Sequence, residues 1–91
     1  MATLMFEIWR EPDGSHTMSQ VRPENDSLRS KIAPDAIRVH SFRVSTDFEA
    51  FRVNNEWHGF EAWMPEPDWK ERPFTDEEQR KQDMYLLERS A

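Results

Sequence analysis

The fold is decided by one stretch of the chain, TDFEAFRVNNEWHGFEAWMP at residues 46–65. Thr46 is followed three residues later by Glu49, the capping-box pattern in which a hydroxyl and a carboxylate each satisfy a backbone N–H at a helix start. Gly59 indicates the end of this helix, because glycine readily adopts the positive φ found just beyond a helix C-terminus. The stretch therefore predicts a helix over residues 46–58, followed by an aromatic segment closed by a proline.

This predicted helix has one apolar arc and one charged arc. At helical spacing the charged residues Glu49, Arg52 and Glu56 share one side, and the other side carries Ala50, Phe51, Val53 and Trp57. Such a pattern is typical of a helix that lies on a sheet. We expect the Trp57 ring to be buried there.

The N-terminal residues predict a hairpin. Leu4, Phe6 and Ile8 alternate with Met5, Glu7 and Trp9, the period of a strand with one buried face. The turn residues Pro12, Asp13 and Gly14 follow. A second strand over about residues 16–22 has few apolar side chains, so we expect it at an edge of the sheet.

A short helix and a third strand precede the deciding stretch. Asn25 or Asp26 can cap a helix that carries Leu28 and Ile32 and ends at Pro34. The third strand, residues 36–45, changes the phase of its alternation, which indicates either two buried faces or a bulge near His40 and Ser41.

The remaining residues predict a linker and a final helix. The segment 66–74 is rich in proline and charge, which is typical of an extended linker. Thr75 and Glu78 repeat the capping pattern at the start of a charged helix over residues 75–91. This helix can project, dock back or pair with a second chain. The prediction is an α+β fold with a three-stranded, mainly antiparallel sheet (ββαβα) in a core domain of residues 1–65, followed by the linker and the extra C-terminal helix.

The charge of the chain bears on its partners. The net charge is −6 over 91 residues, and all of the excess lies in residues 46–91, which carry twelve acidic and six basic groups. A surface of that sign repels phosphate backbones and disfavours nucleic acid. There is no cysteine and no long apolar run or signal-peptide pattern, so we expect a cytoplasmic protein with no membrane association.

The sequence contains no recognisable catalytic motif. Its two glycines, Gly14 and Gly59, are explained by turns, and phosphate-binding or nucleophile-elbow patterns are absent. The histidines His16, His40 and His58 lie in three different predicted elements without metal-ligand spacing; a shared metal site would require the fold to bring them together. We therefore predict no catalytic, cofactor-binding or metal-binding residues.

The chain resembles small uncharacterised bacterial proteins in two motifs. One is the helix start Asp47-Phe48-Glu49-Ala50, and the other is the close Gly59-Phe60-Glu61-Ala62-Trp63-Met64-Pro65, a Gly-aromatic-x-x-aromatic-x-Pro pattern. The resemblance covers about residues 4–65 and implies a bacterial or phage origin. It implies no catalytic activity.

These observations favour a non-enzymatic module for protein–protein interaction or regulation, with a protein partner or a homodimer. The predicted partner contacts are aromatic and apolar residues near the linker and in the last helix: Trp63, Trp69, Met84, Tyr85 and Leu87. One alternative is a small acidic inhibitor, similar to an antitoxin, that blocks a basic site. A second is a small-molecule binder or enzyme that uses an aromatic wall and a histidine, which requires a concave pocket with His40 or His58 beside several rings.

Overall fold

The computed structural model describes residues 1–60, 68 and 70–90. Its elements, in chain order, are β1 (Leu4–Arg10), β2 (His16–Gln20), α1 (Pro23–Ile32), β3 (Ile37–Val44), α2 (Asp47–Trp57) and α3 (Asp76–Ser90). The predicted α+β class and the element order ββαβα with an added C-terminal helix are confirmed.

The three strands form one antiparallel sheet in the order β2-β1-β3. The β1–β2 hairpin turns where predicted, with Gly14 at φ +90°, and β2 lies at an edge as expected. Between β1 and β3 the register shifts: Ile8 pairs with His40 but Trp9 pairs with Arg38, so Val39 is the extra residue. The predicted bulge is therefore present, next to His40.

One face of the sheet, which we call face A, carries the apolar core. Leu4 and Phe6 of β1 lie here, and α2 covers them with Ala50. The Phe6 ring stacks on Phe42 of the neighbouring strand at 5.9 Å. Because β1 is the middle strand, its apolar side chains on face A pack against residues of β2, β3 and α2.

Helix α2 begins as the capping pattern predicts, and its apolar arc is less buried than predicted. The Thr46 hydroxyl accepts the Glu49 N–H at 3.1 Å, while the Glu49 carboxylate accepts from Ser45 rather than from Thr46. The expectation that Trp57 is buried is wrong, since its side chain is 38% exposed, and Phe51 is exposed as well. Both lie off the centre of the contact, which Ala50 occupies.

The chain returns to face A immediately before α3. The Phe74 N–H donates to the Ser45 carbonyl at 2.9 Å, and Thr46 and Pro73 form a single antiparallel bridge. The Phe74 ring is buried 6.1 Å from that of Phe6. A residue at the end of the predicted linker thus belongs to the apolar core.

The opposite face, face B, is covered by α1 and α3. Glu7 of β1 points to this face and is 1% exposed, so the expectation that β1 has one buried face is wrong. Helix α1 has no buried residue, and its two apolar side chains, Leu28 and Ile32, are 57% and 73% exposed. Hydrogen bonds and ion pairs of polar and charged side chains attach the two helices to this side of the sheet.

Candidate interaction surface

Helix α3 binds the sheet through two glutamines. β2 ends at Gln20, and the last backbone hydrogen bond on that side of β1 runs from the Val21 N–H to the Met5 carbonyl at 3.0 Å. No residue of the described strands pairs the Met5 N–H. The Gln82 amide takes the place of such a residue: its oxygen accepts the Met5 N–H at 2.7 Å, and its nitrogen donates to the carbonyls of Met5 and Val21 at 2.9 and 3.2 Å. Gln79 accepts the Thr3 N–H at 2.9 Å. Two side chains thus complete the backbone hydrogen bonding of a central strand.

A second attachment is the buried carboxylate of Glu7. Arg89 of α3 donates to both of its oxygens, at 2.7 and 3.1 Å, in the bidentate geometry that a guanidinium allows. Arg38 of β3 donates at 3.0 Å, and the Trp9 indole donates at 3.3 Å. Four donated hydrogen bonds compensate the cost of removing this charge from water.

The contact between Glu7 and Arg89 shifts the pKa of both side chains. Burial by itself raises the pKa of Glu7, but the hydrogen bonds from Arg89 and Arg38, with the positive charge of Arg89, outweigh it and hold that pKa below the ordinary 4.5. The hydrogen bond to Glu7 raises the pKa of Arg89 despite its partial burial. Both shifts have the direction expected of an ion pair that stays charged in the folded protein.

The same network joins α1 to α3. Tyr85 donates its O–H to Asp26, and the Arg89 Nε lies 3.3 Å from the same carboxylate. Partial burial and then this hydrogen bond raise the pKa of the Tyr85 phenol. On α1, the Arg29 guanidinium lies 3.6 Å from the centre of the Trp9 ring and pairs with Asp26 at 3.0 Å. Tyr85, one of the predicted partner contacts, therefore contacts α1 and is half-buried.

The outward face of α3 carries the other two described contact candidates. Met84 is 60% exposed and Leu87 is 75% exposed. Asp76, Glu77 and Glu88 of the same helix are exposed with them, as are the basic Arg80 and Lys81. The predicted contacts Trp63 and Trp69 lie outside the described residues. Helix α3 thus turns Gln82 and Arg89 toward the sheet. On its outward side, Met84 and Leu87 lie among exposed side chains of both charges.

A separate group of rings lies on the side of face A. Trp57 and Phe60, at and beyond the end of α2, are both exposed. The Trp57 ring stacks on His40 at 5.7 Å, and the Phe60 ring stacks on His58 at 5.2 Å. These rings form an aromatic surface at the end of the sheet.

Two clefts occur elsewhere among the described residues. One of about 440 Å³ lies between the start of α1 and the side of α3, and is lined by Arg22, Glu24, Lys81 and Tyr85 among others. The other, of about 410 Å³, lies beside the β1–β2 turn and Ile37. Neither of these two clefts is lined by a histidine. They do not supply the pocket of rings and histidine that a small-molecule site was expected to need.

Metal ligands and membrane helices were also sought within the described ranges. Across residues 1–60, 68 and 70–90, no three histidine or carboxylate side chains converge closely enough to hold a metal ion. In the same part of the chain, no helix combines the length and the apolar character needed to cross a bilayer.

The sequence-based prediction did not identify the residues that attach α3. The alternation in β1 places Glu7 on the face opposite the buried one, and the charge pattern of α3 does not distinguish Gln82 and Arg89 from its other polar residues. One signal was available: Gln79 and Gln82 are uncharged, three positions apart and therefore on one side of α3. Amides on one helix side can hydrogen-bond a strand edge without burying a charge.

The chain was compared with protein-family models, with curated proteins and with solved structures, and none of the three comparisons gave a match.

Proposed function

We propose that this protein is a non-enzymatic protein-binding module that contacts its partner through the outward face of α3. The observation that carries this proposal is the division of α3 into two faces. Its polar side chains Gln82 and Arg89 make the contacts to the sheet, while Met84 and Leu87 are left largely in solvent. Exposed apolar side chains surrounded by charge are typical of protein contacts.

The charge around Met84 and Leu87 supports a particular kind of partner. Helix α3 contains five acidic and three basic residues, and the whole chain is acidic. The net charge of −6 opposes the association of two copies of the chain, so a different protein suits this surface better than a second copy. The partner that fits is a protein with an apolar groove and both acidic and basic residues at its rim, because Arg80, Lys81 and Glu88 flank Met84.

The apolar residues of α1 extend this proposal to a second element. Leu28 and Ile32 are exposed on the helix that lies next to α3 over face B. Contacts from both helices would bring the buried area closer to that of a stable interface, which one pair of side chains does not reach.

The test is affinity capture from a bacterial lysate with three forms of the full chain. The double variant Met84→Glu, Leu87→Glu should lose the proteins that the wild type retains, because it places two carboxylates in an apolar contact. The matched control is Phe60→Glu, which makes the same change at an exposed apolar residue beside face A. Proteins retained by the wild type and by the control but lost by the double variant support the proposal.

Two results would contradict the proposal that the outward face of α3 binds the partner. If Phe60→Glu loses the captured proteins and the double variant keeps them, the contact lies on the aromatic surface beside face A. If all three forms capture the same proteins to the same extent, neither surface binds them. Repeating the capture at high salt separates an acidic inhibitor, whose binding falls steeply with salt, from an apolar anchor, whose binding does not.

A further inference from the structure

All three histidines of the chain come together around one tryptophan, although they lie in three different elements. His16 opens β2, His40 lies in β3 and His58 follows the last residue of α2. Their ring centres lie 5.6, 5.7 and 5.0 Å from that of Trp57, respectively. The fold therefore gathers imidazoles that the sequence separates.

Two of the three histidine rings lie close enough together to bind one metal ion. The ring centres of His16 and His58 lie 5.0 Å apart, with their planes at 76°. Two imidazoles that bind one metal at about 2.0–2.1 Å in tetrahedral geometry have ring centres about 5 Å apart. The planes are not stacked face to face, and His16 is exposed while His58 is half-buried, so solvent ions have access to the pair.

We infer that His16 and His58 form a two-histidine binding site for a divalent transition-metal ion. Imidazole nitrogen suits Zn²⁺, Cu²⁺ and Ni²⁺, and the chain has no cysteine to offer a softer ligand. Within the described residues no third histidine or carboxylate converges on the pair, so water completes the coordination. His40 stacks on the Trp57 ring at 5.7 Å and is not part of the proposed site.

This site would connect the beginning of β2 to the end of α2. The two residues are far apart in the sequence, and the unfolded chain does not hold them together. A ligand that binds only the folded chain stabilises it, so the midpoint of thermal unfolding should rise with the logarithm of the free metal concentration once that concentration exceeds Kd. The inference is independent of the proposed contact through α3.

The experiment is calorimetric titration of the untagged full chain with Ni²⁺, and with Mg²⁺ as the hard-cation control. We expect one Ni²⁺ per chain and no binding of Mg²⁺. Both His16→Gln and His58→Gln should bind Ni²⁺ at least about tenfold more weakly, because a chelate is reduced to a single imidazole. The matched control His40→Gln removes a ring next to the same tryptophan and should stay within about twofold of the wild type.

A second measurement uses the unaltered protein and so does not depend on variants that fold. Ni²⁺ is paramagnetic, and in two-dimensional NMR spectra it should broaden first the signals of residues around His16 and His58. The inference is overturned if the wild type does not bind Ni²⁺ or if His40→Gln weakens binding as much as His16→Gln. Broadening centred away from the pair, for example at the N-terminal amine, also overturns it.

Discussion

At the scale of single residues, Gln82 shows how a side-chain amide can make the hydrogen bonds that a neighbouring strand would otherwise make to β1. Its amide makes three hydrogen bonds to the backbone of Met5 and Val21 and is almost fully buried. An amide has both a donor and an acceptor, as a peptide unit has, which few side chains can match. We therefore expect both apolar and charged side chains at this position to destabilise the fold.

We predict that Gln82→Leu lowers the free energy of unfolding by about 2–4 kcal/mol, because it leaves the Met5 N–H and the Val21 carbonyl buried without partners. Urea unfolding followed by circular dichroism measures this loss. The matched control is Gln79→Leu, which removes one hydrogen bond at a less buried position and should cost about 1 kcal/mol. Equal losses in the two variants would show that Gln82 has no special role.

Glu7 is the second residue on which the fold depends, and its contribution varies with pH. Its pKa in the folded protein is lowered from 4.5, so the folded state holds the ionised form more tightly than the unfolded state does. The stability that it supplies is therefore fully present above the unfolded pKa and is lost as the pH falls through the folded pKa. The wild type should therefore lose this part of its free energy of unfolding in the acid range, below about pH 4.5.

We predict that Glu7→Gln is less stable than the wild type at pH 7, because Arg89 and Arg38 keep their charges without the carboxylate. Between pH 7 and pH 3 the variant should lose less stability than the wild type loses, since it has no proton to bind at this position. Urea unfolding at a series of pH values gives both quantities. Parallel pH profiles for the two proteins would contradict the role assigned to Glu7.

At the scale of elements, local patterns predicted where α2 and α3 begin, and they did not predict which side faces inward. The predicted cap of α1 at Asn25 or Asp26 is wrong, because that helix begins at Pro23 with Arg22 before it. The capping residues Thr46 and Thr75 each accept a backbone N–H at a helix start, as the sequence indicated. Such a signal depends on a few neighbouring residues, so sequence alone contains it. The starts of α2 and α3 were therefore predictable.

Helix orientation depends on partners that are distant in the sequence. Leu28 and Ile32 are the apolar pair of α1, yet they face solvent because Asp26 and Arg29 find charged and aromatic partners on the other side. The pattern of one short helix does not contain those partners. For the same reason, the meeting of the three histidines and the burial of Glu7 could not be derived from spacing.

The element that most clearly tests these long-range contacts is α3. We predict that a chain ending at Pro65 does not fold, because it lacks Phe74 from the core as well as the side chains that complete the edge of β1. The measurement is the dispersion of amide signals in a two-dimensional NMR spectrum. A chain ending at Arg89 keeps the side chains through which α3 contacts the sheet and α1, and serves as the control. A well-dispersed spectrum from the shorter chain would show that residues 1–65 form an independent domain.

At the scale of the whole molecule, the sheet separates two kinds of packing. Face A is closed by apolar side chains from three elements and from Phe74. Face B is held to its helices by amides and ion pairs, and apolar side chains of those helices are exposed: Leu28, Ile32, Met84 and Leu87. A small domain has few apolar side chains with which to build its core. The exposure of several of them on α1 and α3 is consistent with the proposed role of these helices in binding.

The measurement that tests this division most directly is the free energy of unfolding of the variant Met84→Glu, Leu87→Glu, by urea titration of the full chain. Both side chains are largely in solvent, so we predict a value within about 0.5 kcal/mol of the wild type. A loss as large as that of Gln82→Leu would show that Met84 and Leu87 hold α3 on the sheet. They would then not be free to bind a partner, and the proposed function would lose its basis.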